Sequence, residues 1–127
     1  MIKRILIVDD DVDFVDACRN FLEAAGYEIN CETSEDKVLA VIRVFMPQLI
    51  LLDVAMKTET SGFDIADKIN QDKELRSIPV MFLTGYFKRA DLINRENKIL
   101  EKWSNVKVIL SKPVKPTTLL EAIKKVN

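Results

Sequence analysis

Residues 5–11 read Ile5-Leu6-Ile7-Val8-Asp9-Asp10-Asp11, a four-residue apolar run that ends on three carboxylates. A run this short and rich in β-branched side chains suits a strand covered on both faces. Three further runs match it: Leu49-Ile50-Leu51-Leu52, Val80-Met81-Phe82-Leu83 and Val106-Lys107-Val108-Ile109-Leu110. A fifth, Tyr27-Glu28-Ile29-Asn30-Cys31, alternates apolar and polar residues, as an edge strand with one face partly wet does. Between the runs the spacing turns helical. Val12 to Ala25 sets Phe14, Cys18, Phe21 and Ala25 on one stripe and stops at Gly26. Ser34 to Phe45 carries Val38, Val41, Ile42 and Phe45 ahead of Pro47, which enforces the stop. Ser61 to about Lys73 opens with the capping pattern Ser61-x-x-Asp64 and buries Ile65 and Ile69. Lys88 to Trp103 gives a fourth helix, and a fifth starts near Pro116. Five βα units in succession define an α/β fold, a doubly wound five-stranded parallel sheet with helices on both faces.

With 127 residues, the chain has the length of one domain, residues 1–127, able to fold without a disulfide or metal. Its 48% hydrophobic and 31% charged residues are those of an ordinary globular protein. Nineteen Lys and Arg against twenty Asp and Glu give a net charge of −1, which offers no basic excess for nucleic acid. Absence of histidine excludes a Ser-His-Asp triad, a histidine base and a histidine metal ligand. Cys18 and Cys31 lack metal or disulfide spacing and read as small apolar core residues. Only four apolar residues follow Arg4 before the aspartates, too few for a signal peptide or a membrane span. The expected location is cytoplasmic, with no membrane partner.

In an open parallel sheet, ligands bind beyond the carboxyl ends of the strands. Asp9, Asp10 and Asp11 follow the first strand, Asp53 the third, Thr84 the fourth and Lys112-Pro113 the fifth. Asp10 or Asp11 also suits the N-cap of the helix beginning at Val12. Asp53 has no such helix to cap, since the next begins near Ser61. Two carboxylates near contact repel by about 4 kcal/mol at an effective dielectric of 20, so three call for a cation. Oxygen-only ligands favour Mg²⁺. A carboxylate can also act as nucleophile toward a phosphoryl group, whose oxygens need cations around them.

On these motifs, together with Leu51-Leu52-Asp53-Val54-Ala55-Met56, Ile78-Pro79 leading into Val80 to Gly85, and Lys112-Pro113, the chain resembles the receiver domain of two-component response regulators. The resemblance covers essentially the whole chain and implies the flavodoxin-like strand order 2-1-3-4-5. It implies that Asp53 is the phosphoacceptor. Asp10 and Asp9, with Asp53 and the carbonyl of Ala55, would bind Mg²⁺. Thr84 and Lys112 would engage the phosphoryl group, Gly85 would leave it room, and the Lys112-Pro113 peptide would be cis. The phosphoryl group would come from a sensor histidine kinase or a phosphotransfer protein. Output would pass to another protein through the fourth helix, fifth strand and fifth helix, with no direct nucleic-acid contact. Such a chain is no conventional enzyme, but it would promote its own phosphotransfer and slow self-dephosphorylation.

Several positions depart from the family pattern. Ile109 stands where receivers usually carry an aromatic switch residue. Met56-Lys57 replaces the usual Met-Pro, and the stretch from Thr84 to Lys112 is long. Ala55 and Tyr86 occupy positions that tune phosphoryl lifetime in the family, and neither can position attacking water. Tyr86 would shield the phosphoryl group, or serve as a half-buried loop tyrosine. A non-phosphorylated receiver-like interaction module is the alternative function. A flavin-binding relative fits poorly, because carboxylates in the first loop would repel the flavin phosphate.

Overall fold

Each apolar run forms a strand, since side chains pointing alternately to the two faces find hydrophobic cover on both. The computed structural model describes residues 2–54, 61–85, 98–99 and 101–126, the side chain of Ser61 excepted. The elements are β1 (Arg4–Val8), α1 (Val12–Ala24), β2 (Glu28–Glu32), α2 (Val38–Phe45), β3 (Leu49–Asp53), α3 (Ser61–Gln71), β4 (Val80–Thr84), β5 (Val106–Ser111) and α4 (Pro116–Val126). Residues 98–99 and 101–102 are also helical, within the stretch 88–103 that the sequence assigns to a helix. The remainder of that helix lies outside the described residues.

All five strands are parallel, in the order β2-β1-β3-β4-β5. The order reverses between β1 and β3, so the crevice beyond their carboxyl ends is the place where such sheets bind ligands. One face of the sheet, with Leu6, Leu52 and Phe82, is covered by α2 through Val38 and Ile42 and by α3 through Ile65 and Ile69. The other, with Ile7, Leu51 and Leu83, is covered by α1 through Val15 and Leu22 and by α4 through Leu119 and Ile123. Among the described residues, no helix is long and apolar enough to cross a membrane.

Local chemistry sets the ends of the elements. Asp11 caps α1, its Oδ1 accepting the Phe14 N–H at 3.2 Å. At the other end Gly26 takes φ +101°, and the N–H groups of Gly26 and Tyr27 donate to the carbonyls of Glu23 and Leu22, a Schellman closure. The buried stripe of α1 runs through Val15 and Leu22, flanked by half-buried Phe14, Cys18 and Phe21. Ala25 is exposed, because the helix has ended before it completes another turn. A 3-10 turn at Glu35–Lys37 precedes α2, which closes on Met46 in the left-handed region at φ 50° just before Pro47.

Between β4 and β5 the register shifts at Val80/Met81: Val80 pairs with Val106, but Met81 pairs with Val108. Lys107 is thus the extra residue of a bulge, and the shift puts Val108 and Leu110 on the α1 and α4 face, with Ile109 on the other. At the sheet's edge, β2 turns the N–H of Cys31 away from β1, where it donates to Asn30 Oδ1 at 2.9 Å. On the α3 face, Trp103 stacks on Phe63 with centroids 5.3 Å apart and meets Phe82 edge-on at 5.8 Å. Its Nε1–H donates to Asp67 Oδ1 at 2.7 Å.

Candidate functional site

The carboxyl ends of β1 and β3 stand side by side, Val8 pairing with Leu52, and this sets Asp9 next to Asp53. Asp9 is fully buried and Asp53 is 4% exposed, whereas Asp10 faces solvent. Carboxylate oxygens of Asp9, Asp10 and Asp53 lie within 4.8 Å of one another. Asp9 spends one oxygen inside the fold, Oδ1 accepting the Asp11 N–H at 2.9 Å. Its Oδ2 accepts from Lys112 Nζ at 2.6 Å, and the same ammonium stands 3.6 Å from Asp53 Oδ2.

Lys112 reaches this position because its backbone is tied to the end of β4. Its N–H donates to the Thr84 carbonyl at 2.9 Å, extending the β4–β5 ladder, and its peptide to Pro113 is cis. Burial pushes the Lys112 ammonium toward the neutral form. Its hydrogen bond to Asp9 and the charges of Asp9, Asp53 and Asp11 outweigh that, so its pKa lies above the ordinary lysine value. The side chain crosses the face of Phe14, with Nζ 4.5 Å from the ring centroid. Cys18, one turn further along α1, feels the same charges. Burial, then the Asp9 carboxylate, push its thiol up to about 11 despite the opposing pull of Lys112.

Among the described residues, one ammonium stands with three carboxylates, and the donors these offer are all oxygens. That donor set fits a hard divalent cation. The backbone beside Asp53 is shaped by Gly62, whose N–H donates to the Val54 carbonyl at 2.7 Å. A Cβ at Gly62 would fall 2.3 Å from the Asp53 carbonyl oxygen, so only glycine lets α3 start this close to β3. At Gly85, among the described residues, a Cβ would meet Lys112 Cβ at an ordinary contact distance of 3.9 Å.

Asp9, Asp10, Asp53 and Lys112, read from the sequence as strand-end residues, therefore meet in one cluster. Thr84 is buried at the end of β4 and pairs with Ser111, immediately before Lys112. Ile109 is half-buried on the opposite face, paired with Phe82. Ala55 and Tyr86 lie outside the described residues. Phe14 and Gly62 went unread as site residues. Phe14 carries only the signal of a core stripe, and a lone glycine at a helix start has no distinctive pattern.

A doubly wound parallel sheet thus gathers acidic groups and a lysine at its carboxyl edge. The response regulator receiver domain model matches residues 5–124, and the chain belongs to that family. Among its relatives, the polar-differentiation response regulator DivK of Brucella ovis is 32% identical over 98% of this chain and 95% of its own length. Among solved structures, the chemotaxis response regulator CheY4 of Vibrio cholerae superposes with a TM-score of 0.82 at 25% identity, covering all of both chains. A CheY-like receiver domain from Methanospirillum hungatei gives a TM-score of 0.79 at 28% identity, covering 99% of this chain and 94% of its own. Receiver domains generally bind Mg²⁺ at an acidic pocket and interact with histidine kinases or phosphotransfer proteins.

Proposed function

We propose that the chain is a single receiver domain over residues 1–127 that accepts a phosphoryl group on Asp53. The observation that carries this reading is the buried Asp53 carboxylate standing 3.6 Å from Lys112 Nζ and within 4.8 Å of Asp9 and Asp10 oxygens. The donor is the phosphohistidine of a sensor kinase or phosphotransfer protein. With no histidine among the 127 residues, that imidazole lies outside them. In the transfer the P–N bond to the donor breaks and a P–O bond to Asp53 forms. Asp9, Asp10, Asp53 and the Ala55 carbonyl would hold Mg²⁺, which when bound neutralises charge on the phosphoryl oxygens and the carboxylates.

The protein's own groups do the rest. Lys112 offers its ammonium to a phosphoryl oxygen, and the Thr84 hydroxyl offers a second donor. The new group adds about −1.5 to −2 charge at pH 7. Contacts that Thr84 and Lys112 make better in one conformation than another shift a pre-existing equilibrium. Reversal from 1:99 to 99:1 takes about 5.5 kcal/mol, within reach of two or three charge-assisted hydrogen bonds. Output passes to another protein through β5, α4 and the stretch 88–103. Tyr86 shields the phosphoryl group, so decay is slow and Tyr86→Ala shortens its lifetime. Free, half-buried Cys18 and Cys31 suit a reducing compartment, and the cytoplasm is the proposed location.

Incubation with Mg²⁺ and phosphoramidate is expected to add one acid-stable, base-labile phosphoryl group. Equal labelling of Asp53→Asn would overturn the assignment. Ile109 in place of an aromatic favours the second reading, an interaction module that works without phosphorylation. Trp103, buried against Phe63 and Phe82, separates the two. A fluorescence response to Mg²⁺ with beryllofluoride supports switching, and silence supports the module.

A further inference from the structure

Lys112 is held by a ring as well as by carboxylates. Its Nζ stands 4.5 Å from the Phe14 centroid, 2.6 Å from Asp9 Oδ2 and 3.6 Å from Asp53 Oδ2. The backbone that carries the ring is itself fixed. Phe14 lies in the first turn of α1, where its N–H donates to Asp11 Oδ1 at 3.2 Å, and the Asp11 N–H donates to Asp9 Oδ1 at 2.9 Å. Asp9, Asp11, Phe14 and Lys112 thus close a circuit of contacts that returns to the Asp9 carboxylate.

The surroundings explain why a ring is needed. Asp10, Asp11 and Asp13 are exposed at the start of α1, the helix that carries Phe14, and surround the approach to Asp9 with negative charge. Lys112 keeps its side chain largely covered, 21% exposed, and turns inward to Asp9 and Asp53. A phenyl face attracts an ammonium through its quadrupole and offers it no competing hydrogen bond. With the ring on one side of it, the ammonium donates to Asp9 and stands close to Asp53.

We propose that Phe14 is a positioning residue for Lys112, holding the ammonium over Asp53 so that a phosphoryl oxygen there meets a donor already in place. This rests on the reading of Asp53 as the acceptor. The test compares Phe14→Leu and Phe14→Tyr, the second keeping the ring. Two quantities are read in the intact chain: the NMR shifts of the Lys112 ε-methylene, and the rate of phosphoramidate labelling with Mg²⁺.

Phe14→Leu is expected to move the ε-methylene downfield, as the ring current is lost, and to slow labelling about two- to thirtyfold, the range of a lysine–ring contact. Phe14→Tyr is expected to keep both. In a Lys112→Gln background Phe14→Leu should cause little further loss, because the coupling runs through the ammonium. Unchanged shifts in Phe14→Leu, equal loss in Phe14→Tyr, or full loss in the Lys112→Gln background would each overturn the proposal. Failure of the wild type to label would instead remove the acceptor reading, and the Lys112 shifts would still decide whether the ring holds the ammonium.

Discussion

Around Asp9, burial and charge oppose one another on Lys112 and act together on Cys18. Lys112 is covered, yet its bond to Asp9 keeps it charged; Cys18 is covered beside the same carboxylate, and its proton is retained. Burial likewise raises the Cys31 thiol. Both thiols should therefore resist alkylation. At pH 8, iodoacetamide is expected to modify Cys18 far more slowly in the folded chain than in urea, measured by intact mass. Because the folded value of about 11 exceeds the ordinary 9.0, the contribution of Cys18 to stability is complete below pH 9 and is lost as pH rises toward 11. Asp9, Asp53 and Lys112 were legible because each lies within two residues of the end of a run that had to be a strand, and strand ends converge in a parallel sheet. Phe14 was not, since its partner Lys112 lies near the other end of the chain and only folding reveals the contact.

At the level of elements, the close start of α3 against β3 is a tight fit beside the site. Gly62→Ala drives a Cβ into the Asp53 carbonyl and the Val54 backbone, neither of which is a flexible side-chain end. A loss of about 1–3 kcal/mol is expected, as for other overpacked positions, read from the midpoint of urea unfolding. Phosphoryl labelling should fall further than stability alone accounts for, because the displaced backbone carries the acceptor. The helical and strand periods made most elements readable in advance. The start of α2 was not: its first turn at Glu35–Lys37 is 3-10, closed by the Lys37 N–H on the Ser34 carbonyl, and polar side chains carry no sign of that difference. Nor was the bulge at Lys107, because Val106 to Leu110 reads equally well as an unbroken strand. Yet that one residue fixes which face Ile109 and Leu110 occupy, and Lys112 follows from the same parity.

Over the whole molecule, a net charge of −1 conceals a division along the chain. Residues 1–36 hold ten acidic and three basic groups, so the remainder is basic. Folding draws Lys112 from the basic part onto Asp9 of the acidic part, and among the described residues it is the one ammonium set against the three carboxylates of the crevice. Mg²⁺ should thus stabilise the native state by mass action. At about tenfold above its dissociation constant it adds about 1.4 kcal/mol, or roughly 4–7 °C in Tm for a chain of this size. Calorimetry with and without EDTA measures this. Asp10→Asn, which spares the Lys112–Asp9 bond, is expected to abolish most of the rise.

The Asn30 side chain at the rim of β2 bears on how these molecules share a crowded solution. An unsatisfied amide on a sheet's last strand is a template on which a neighbour's backbone can crystallise, strand upon strand. Asn30 covers the Cys31 N–H with its own amide oxygen. Glu28 and Glu32 at the two ends of the same strand would also confront one another if two copies met there antiparallel. At this edge the amide cover and the facing glutamates therefore disfavour growth of the sheet from one molecule into the next.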